Sequence, residues 1–230
     1  MSIPDAHVDD VTAEPPLDRS PGLPEPVTLD PEVAGELLRI ARDAVTAAAT
    51  RRGVRAAAVG ASLPGASTAG PQLSPAASAA LAQPGAAFVT LTEHGSLRGC
   101  IGSLVTNEPL GRAVASAGAS AAVRDPRFMP VTERELPSIH IDVSVLGPAG
   151  PLRDPMVFRL GIDGIIVVRD GRRALFLPEV ATDQGWGAEE MLDAVCEKAG
   201  LNRHAWHDPR TQLFAFRTVR VSETEAPAAR

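Results

Sequence analysis

An α+β fold built on antiparallel sheets is predicted by three observations. Two hairpin signatures join strand-like runs that are neighbours in sequence, "AAFVTLT" with "LRGCIGSL" across "EHGS", and "GIIVV" with "RRALFLP" across Asp170 and Gly171. Amphipathic helical patterns lie between and around these hairpins. The regular strand, helix, strand rhythm of a doubly wound parallel sheet is missing. At 230 residues the chain is long enough to bury a substantial core without disulfides.

Taken in order, residues 1–27 are rich in Pro, Asp and Glu and poor in large apolar groups, which predicts a disordered acidic tail. A first helix opens at Asp30, whose carboxylate can cap the free amides, with Pro31 in the first turn. Leu37, Leu38, Ala41, Ala44, Val45 and Ala48 recur at helical spacing, and Gly53 offers a stop. Residues from about 56 to 86 are Ala, Gly, Ser and Pro in low-complexity order, the composition of a long surface connection. The first hairpin follows, with Gly95 in its turn. "NEPLGRAVASAGASAAV" then predicts a small-residue helix capped by Asn107 and ending near Arg124. Thr132 and Glu135 have capping-box spacing, so a short helix is expected before the strand "IHIDVSVL". In that strand Ile139, Ile141, Val143 and Val145 share one face, and His140, Asp142 and Ser144 form an exposed polar one. After the second hairpin, Met191, Leu192, Val195, Cys196 and Ala199 line one face of a helix stopped by Gly200. Gln212 to Val221 is a last strand, and 223–230 form a C-terminal tail.

Residues 1–30 hold seven acids against Arg19 and so carry the whole formal charge of −6, while the remainder balances at 21 acids and 21 bases. That argues against a nucleic-acid binder, whose affinity needs surplus positive charge. Neither a secretory signal nor a run of apolar residues of bilayer length is present, so a soluble cytoplasmic protein without membrane attachment is expected. Cys100 and Cys196 make no CxxC pair and no zinc-site spacing with histidine, which predicts reduced thiols and no metal. No P-loop, dinucleotide fingerprint or cluster-binding cysteine motif assigns a cofactor.

"LRGCIG" (Leu97 to Gly102), "DPRF" (Asp125 to Phe128) with Pro130, "SVL" (Ser144 to Leu146), "LFLPEVA" (Leu175 to Ala181), Trp186, and "KAGL" (Lys198 to Leu201) followed by Trp206 occur in this order. Together they make the chain resemble the AMMECR domain family, also called protein A of the AmmeMemoRadiSam system, from about Thr28 to Val221. The resemblance implies an AMMECR domain over 28–222, with two unequal α+β lobes, each with an antiparallel sheet, around a cleft that the LRGCIG strand faces. It also implies association with a Memo-type protein and a radical SAM protein, and no established biochemical activity. The chain departs from the family pattern at Asp163, where His is frequent, and at Glu179, where Gln is favoured.

The expected ligand-binding cleft comprises Leu97, Arg98, Gly99, Cys100, Ile101, Gly102, Asp125, Arg127 and Asp142. Strand alternation points Arg98 and Cys100 to one face, with Gly102 leaving room for a ligand. Cys100 is either a nucleophile, activated by Arg98 toward a carboxylate- or phosphate-bearing substrate, or a small buried apolar residue. Arg98 either grips an anion with its planar fork or pairs with Asp142 or Asp125. Gly99 and Gly102 also suit close backbone approach. Arg124, Asp125 and Arg127 either line the cleft or brace a rigid connector with Phe128 in the core. His140, Asp142 and Ser144 lie along a line and do not converge as a triad would. His94 belongs to an exposed turn. His204 and His207 have metal-compatible spacing without further ligands, against which stands a capping and solvent-contact role.

Overall fold

The computed structural model describes residues 7–8, 27–50, 73–104 and 107–223. Most of both expected tails, most of the low-complexity connection and the Gly53 stop lie outside the described residues; the exceptions in the tails are His7–Val8, which form a strand where disorder was expected, Val27 and Glu223. The chain divides into two units, one centred on Leu29–Ser144 together with 220–223, the other on Val145–Val219. Both mix helices with antiparallel strands, as the hairpin signatures predict.

In the first unit, helix α1 (Pro31–Thr50) starts where Asp30 Oδ1 accepts the Glu32 amide at 2.8 Å. It buries Val33, Leu37, Ala41, Val45 and Ala49, a stripe of four-residue steps. Helix α2 (Pro75–Ala82) was not expected. Ser74 Oγ caps it by accepting the Ala77 amide at 3.1 Å, with Pro75 in the first turn, so the Ser-Pro start signal lay inside an apparently featureless stretch. Strands β2 (Ala86–Glu93) and β3 (Ser96–Ser103) form the predicted hairpin, turned by His94 and Gly95, both at positive φ. A short strand β1 (His7–Val8) pairs in parallel with β3 opposite Ile101 and Gly102.

Helix α3 (Leu110–Val123) begins at Pro109 and not at Asn107. Its first amide is satisfied by the Gln83 carbonyl at 2.8 Å, so a neighbouring backbone does what the Asn107 side chain was expected to do. The small residues of α3 serve as predicted: a Cβ on Gly118 would stand 3.2 Å from the Ala41 carbonyl oxygen of α1. No helix forms at the Thr132 capping box; residues 133–138 are a run of turns. Strand β4 (Ile139–Leu146) lies beside β2, and it is buried on both faces rather than half exposed, with Asp142 and Ser144 each only 2% accessible. Glu223, just after the last strand, is tied into this unit by pairing with Arg42 and accepting the Ile141 amide at 2.9 Å.

The second unit contains β5 (Gly150–Pro151), β6 (Asp163–Arg169), β7 (Arg172–Phe176), α4 (Pro178–Gln184), α5 (Ala188–Lys198) and most of β8 (Gln212–Ser222). β6 pairs with β7 on one side and β8 on the other, all antiparallel, and β5 adds to β8 opposite Phe214 and Ala215. The β6–β7 turn uses Asp170 and Gly171 at positive φ, as expected. The core joins Ile165, Val167 and Phe176 of the strands to Met191, Leu192, Val195 and Cys196 of α5. The "LFLPEVA" segment hides α4, a third helix opened by a proline after α1 and α2, and unforeseen because it has only seven residues.

Candidate functional site

β3 carries the six motif residues, and its regularity fails at one point. The β2–β3 register shifts between Leu91 and Thr92: Thr92 faces Leu97 and Leu91 faces Gly99, which leaves Arg98 without a partner on β2. The simple alternation that would put Arg98 and Cys100 on one face is therefore interrupted between them. Arg98 turns out to serve the chain itself. Its Nε donates to Glu135 Oε1 at 2.9 Å and its terminal nitrogen donates to the Met129 carbonyl at 2.7 Å. The ion-pair partner is thus Glu135, not Asp142 or Asp125. Glu135 also accepts the Thr132 amide at 2.7 Å, so the capping-box contact survives as a turn that orients the carboxylate. Burial pushes this carboxyl up, but the hydrogen bonds from Thr132 and Arg98 outweigh it and hold it below its ordinary value.

Cys100 is brought together with Asp125 and Arg127. Its amide donates to Asp125 Oδ2 at 2.9 Å, its carbonyl accepts from Arg127 at 3.4 Å, and Thr90 Oγ1 lies 3.3 Å from its sulfur. Asp125 follows the last turn of α3 and is buried. Arg127 clasps it with two side-chain bonds, at 2.9 and 2.7 Å, and a 3.1 Å bond from its own amide. Burial raises the Asp125 carboxyl, yet the Arg127 guanidinium and the amides of Cys100 and Arg127 prevail and keep it ionised below its usual range. Arg127 also lies over the Phe128 ring, 5.3 Å from its centroid. These contacts form a brace between β3 and the turn after α3, in keeping with the ion-paired part of the connector reading of "DPRF", but Phe128 is only half-buried and does not join the core as that reading expected.

The glycines of the motif are packed against protein. A Cβ on Gly99 would overlap the Ala121 carbonyl oxygen of α3, and one on Gly102 would overlap the Phe88 ring and the Ala87 carbonyl. The room that Gly102 was expected to leave for a ligand is thus filled by Phe88, while Gly99 permits the close helix approach. Leu97 is half-buried, and Ile101 is buried at 2% exposure. The sulfur-bearing Cys100 is 7% exposed.

Asp142 belongs to a separate group of side chains. Arg220 and Ser222 Oγ each donate to it at 2.5 Å, and His140 Nε2 lies 3.7 Å away. Sequence reasoning missed Arg220 and Ser222, whose signal was an alternating polar face on β8 matching that of β4. His204, in the second unit, meets Asp193 at 3.1 Å, and among the described residues no group of metal-ligating side chains assembles around it. Asp163 is fully buried between Arg159 and Arg217, at 2.9 and 2.7 Å. No helix among the described residues is long and apolar enough to cross a membrane.

Comparison with known proteins agrees with this architecture. An uncharacterized protein of Pyrococcus horikoshii, PH0010, has a solved structure that superposes with a TM-score of 0.72 at 30% identity, covering 88% of this chain and 96% of that one. A protein of Methanothermobacter thermautotrophicus is 47% identical over 135 residues, 56% of this chain and 70% of the relative. Protein PF1979 of Pyrococcus furiosus is 41% identical over 150 residues, 61% of this chain and 71% of the relative. The model of the AMMECR1 family matches residues 38–221, and the chain belongs to that family.

Proposed function

We propose that this domain is a partner-binding component that acts with a Memo-type protein and a radical SAM protein, the association that the family resemblance implies, and that the turn after α3 presents the contact surface. The observation that carries this reading is the contrast around the brace. Arg98, Asp125 and Arg127 spend their hydrogen bonds on holding the turn, while Met129 within it is 78% exposed and the adjacent Val123 and Arg124 are exposed as well. A rigid turn offering a large apolar side chain beside a cation is what an interface anchor needs. Tagged wild-type protein should co-purify with the two partners. Met129→Glu should weaken that association by about 30-fold or more, the effect of losing an anchor residue, with an unchanged melting curve. Absence of any association while a control complex survives, or equal binding by Met129→Glu, would overturn the proposal.

Nucleophilic catalysis by Cys100 receives less support, because a reagent thiol must be reachable and this one is 7% exposed beneath the Asp125 brace. Iodoacetamide labelling of the native protein separates the two readings. Rapid, pH-dependent alkylation of Cys100, coupled to loss of function in Cys100→Ser, is the result the catalytic reading requires.

A further inference from the structure

In the second unit a hollow of ≈ 710 Å³ opens between residues 151–155 and residues 206–214. Its size is that of a site for a small organic molecule. Both walls are pinned by hydrogen bonds to main-chain carbonyls. β5 pairs with β8 through Pro151 and Phe214, and the Leu152 amide donates to the Leu213 carbonyl at 2.8 Å. On the other side Thr211 Oγ1 donates to the Ala205 carbonyl at 2.6 Å. Leu152, Trp206, Leu213 and Phe214 contribute apolar surface that is 6–8% exposed. Pro151, Pro155 and Pro209 add walls without amide donors. At the rim, the His207 ring is stacked on Trp206 with centroids 3.5 Å apart, and His207 is exposed, so a flat π surface faces outward.

The charge of the rim is unequal. Asp208, its carboxylate, meets Arg169 at 2.9 Å and Arg210 at 2.8 Å, and Arg169 also meets Asp170 at 3.4 Å, so these two acids and two arginines cancel. Arg153 is exposed and makes no hydrogen bond or ion pair among the described residues, and the exposed Gln212 amide is likewise uncommitted. The surplus is one guanidinium fork beside an apolar, proline-walled hollow.

We propose that this hollow binds a small organic anion with a flat apolar body, an aromatic carboxylate or sulfonate, whose ring system enters between the prolines while its charge meets Arg153. A guanidinium recognises such an oxyanion through paired donors. The site uses residues other than those of the Met129 surface, so failure of one proposal leaves the other standing.

The probe is 8-anilinonaphthalene-1-sulfonate, with the neutral N-phenyl-1-naphthylamine as its uncharged counterpart, titrated into the full chain. Fluorescence should saturate at one dye per chain, and 2-naphthoate should displace it. Arg153→Gln, at an exposed position where folding is unaffected, should weaken sulfonate binding by about five-fold, the upper range for an exposed ion pair, and leave the neutral dye unchanged. Three results would overturn the proposal. One is the absence of saturable binding; another is equal affinity of wild type and Arg153→Gln for the sulfonate. The third is dye binding that disappears as protein concentration rises, which would assign the hollow to a second copy of the chain.

Discussion

Asp125 sits at the end of α3, where the unsatisfied carbonyls of a helix make a negative charge unwelcome. It is nevertheless ionised and buried, because three hydrogen bonds from Arg127 and one from the Cys100 amide replace the water it loses. Removing one member of such a pair leaves the other buried without its countercharge, which is more damaging than never having built the pair. Asp125→Ala should therefore destabilise the protein by about 3–5 kcal/mol in urea unfolding. It should also expose Cys100 to alkylation in otherwise native conditions, since the carboxylate that holds its amide is gone. A loss below about 1 kcal/mol, the range of exposed ion pairs, would show that the brace is ornamental.

At the scale of elements, glycines in similar-looking stretches do opposite work. Gly99 lets β3 approach α3 so closely that no Cβ fits beside the Ala121 carbonyl, and a backbone atom cannot swing aside as a side chain would. Gly99→Ala should cost about 1–3 kcal/mol or more, as overpacked sites do. Gly35 lies at an exposed position of α1 with nothing within 4 Å of its Cβ position. Here alanine relieves only the entropy penalty of a helical glycine, and Gly35→Ala should stabilise by about 0.5–1 kcal/mol. Thermal melts of the two variants should move in opposite directions. Equal shifts would mean that the close strand–helix contact does not exist in solution.

For the molecule as a whole, both units rely on carboxylates that are more acidic folded than unfolded. In the first unit these are Asp125 and Glu135. In the second, burial raises Asp193, but the Trp206 Nε1 bond and then Arg203 and His204 more than compensate, and the Arg210 bonds lower Asp208. A depressed carboxyl contributes stability that is fully present above its unfolded value, 3.8 for Asp and 4.5 for Glu. That stability is lost as pH falls through the lower folded value. The melting temperature should hold steady down to about pH 5 and fall progressively below about pH 4. A midpoint that rises on acidification would contradict the ion-pair assignments.

The α+β class, both hairpins, the first and last long helices and the family were legible in the sequence because each depends on short-range rules. His94–Gly95 and Asp170–Gly171 tolerate positive φ, four-residue apolar steps make one helical face, and ordered motifs mark descent. The short helices α2 and α4 had only their proline starts to announce them, too little signal for a periodicity. Which charges meet was decided by tertiary structure alone. Arg98 reaches Glu135 across 37 positions and Asp142 reaches Arg220 across 78, and several carboxylates of equal chemistry were available to each arginine. Likewise nothing local distinguishes Gly102, filled by Phe88, from a glycine that opens space. Local conformation depends on neighbours along the chain, whereas desolvation and charge pairing depend on neighbours in space, and those exist only once the elements have packed.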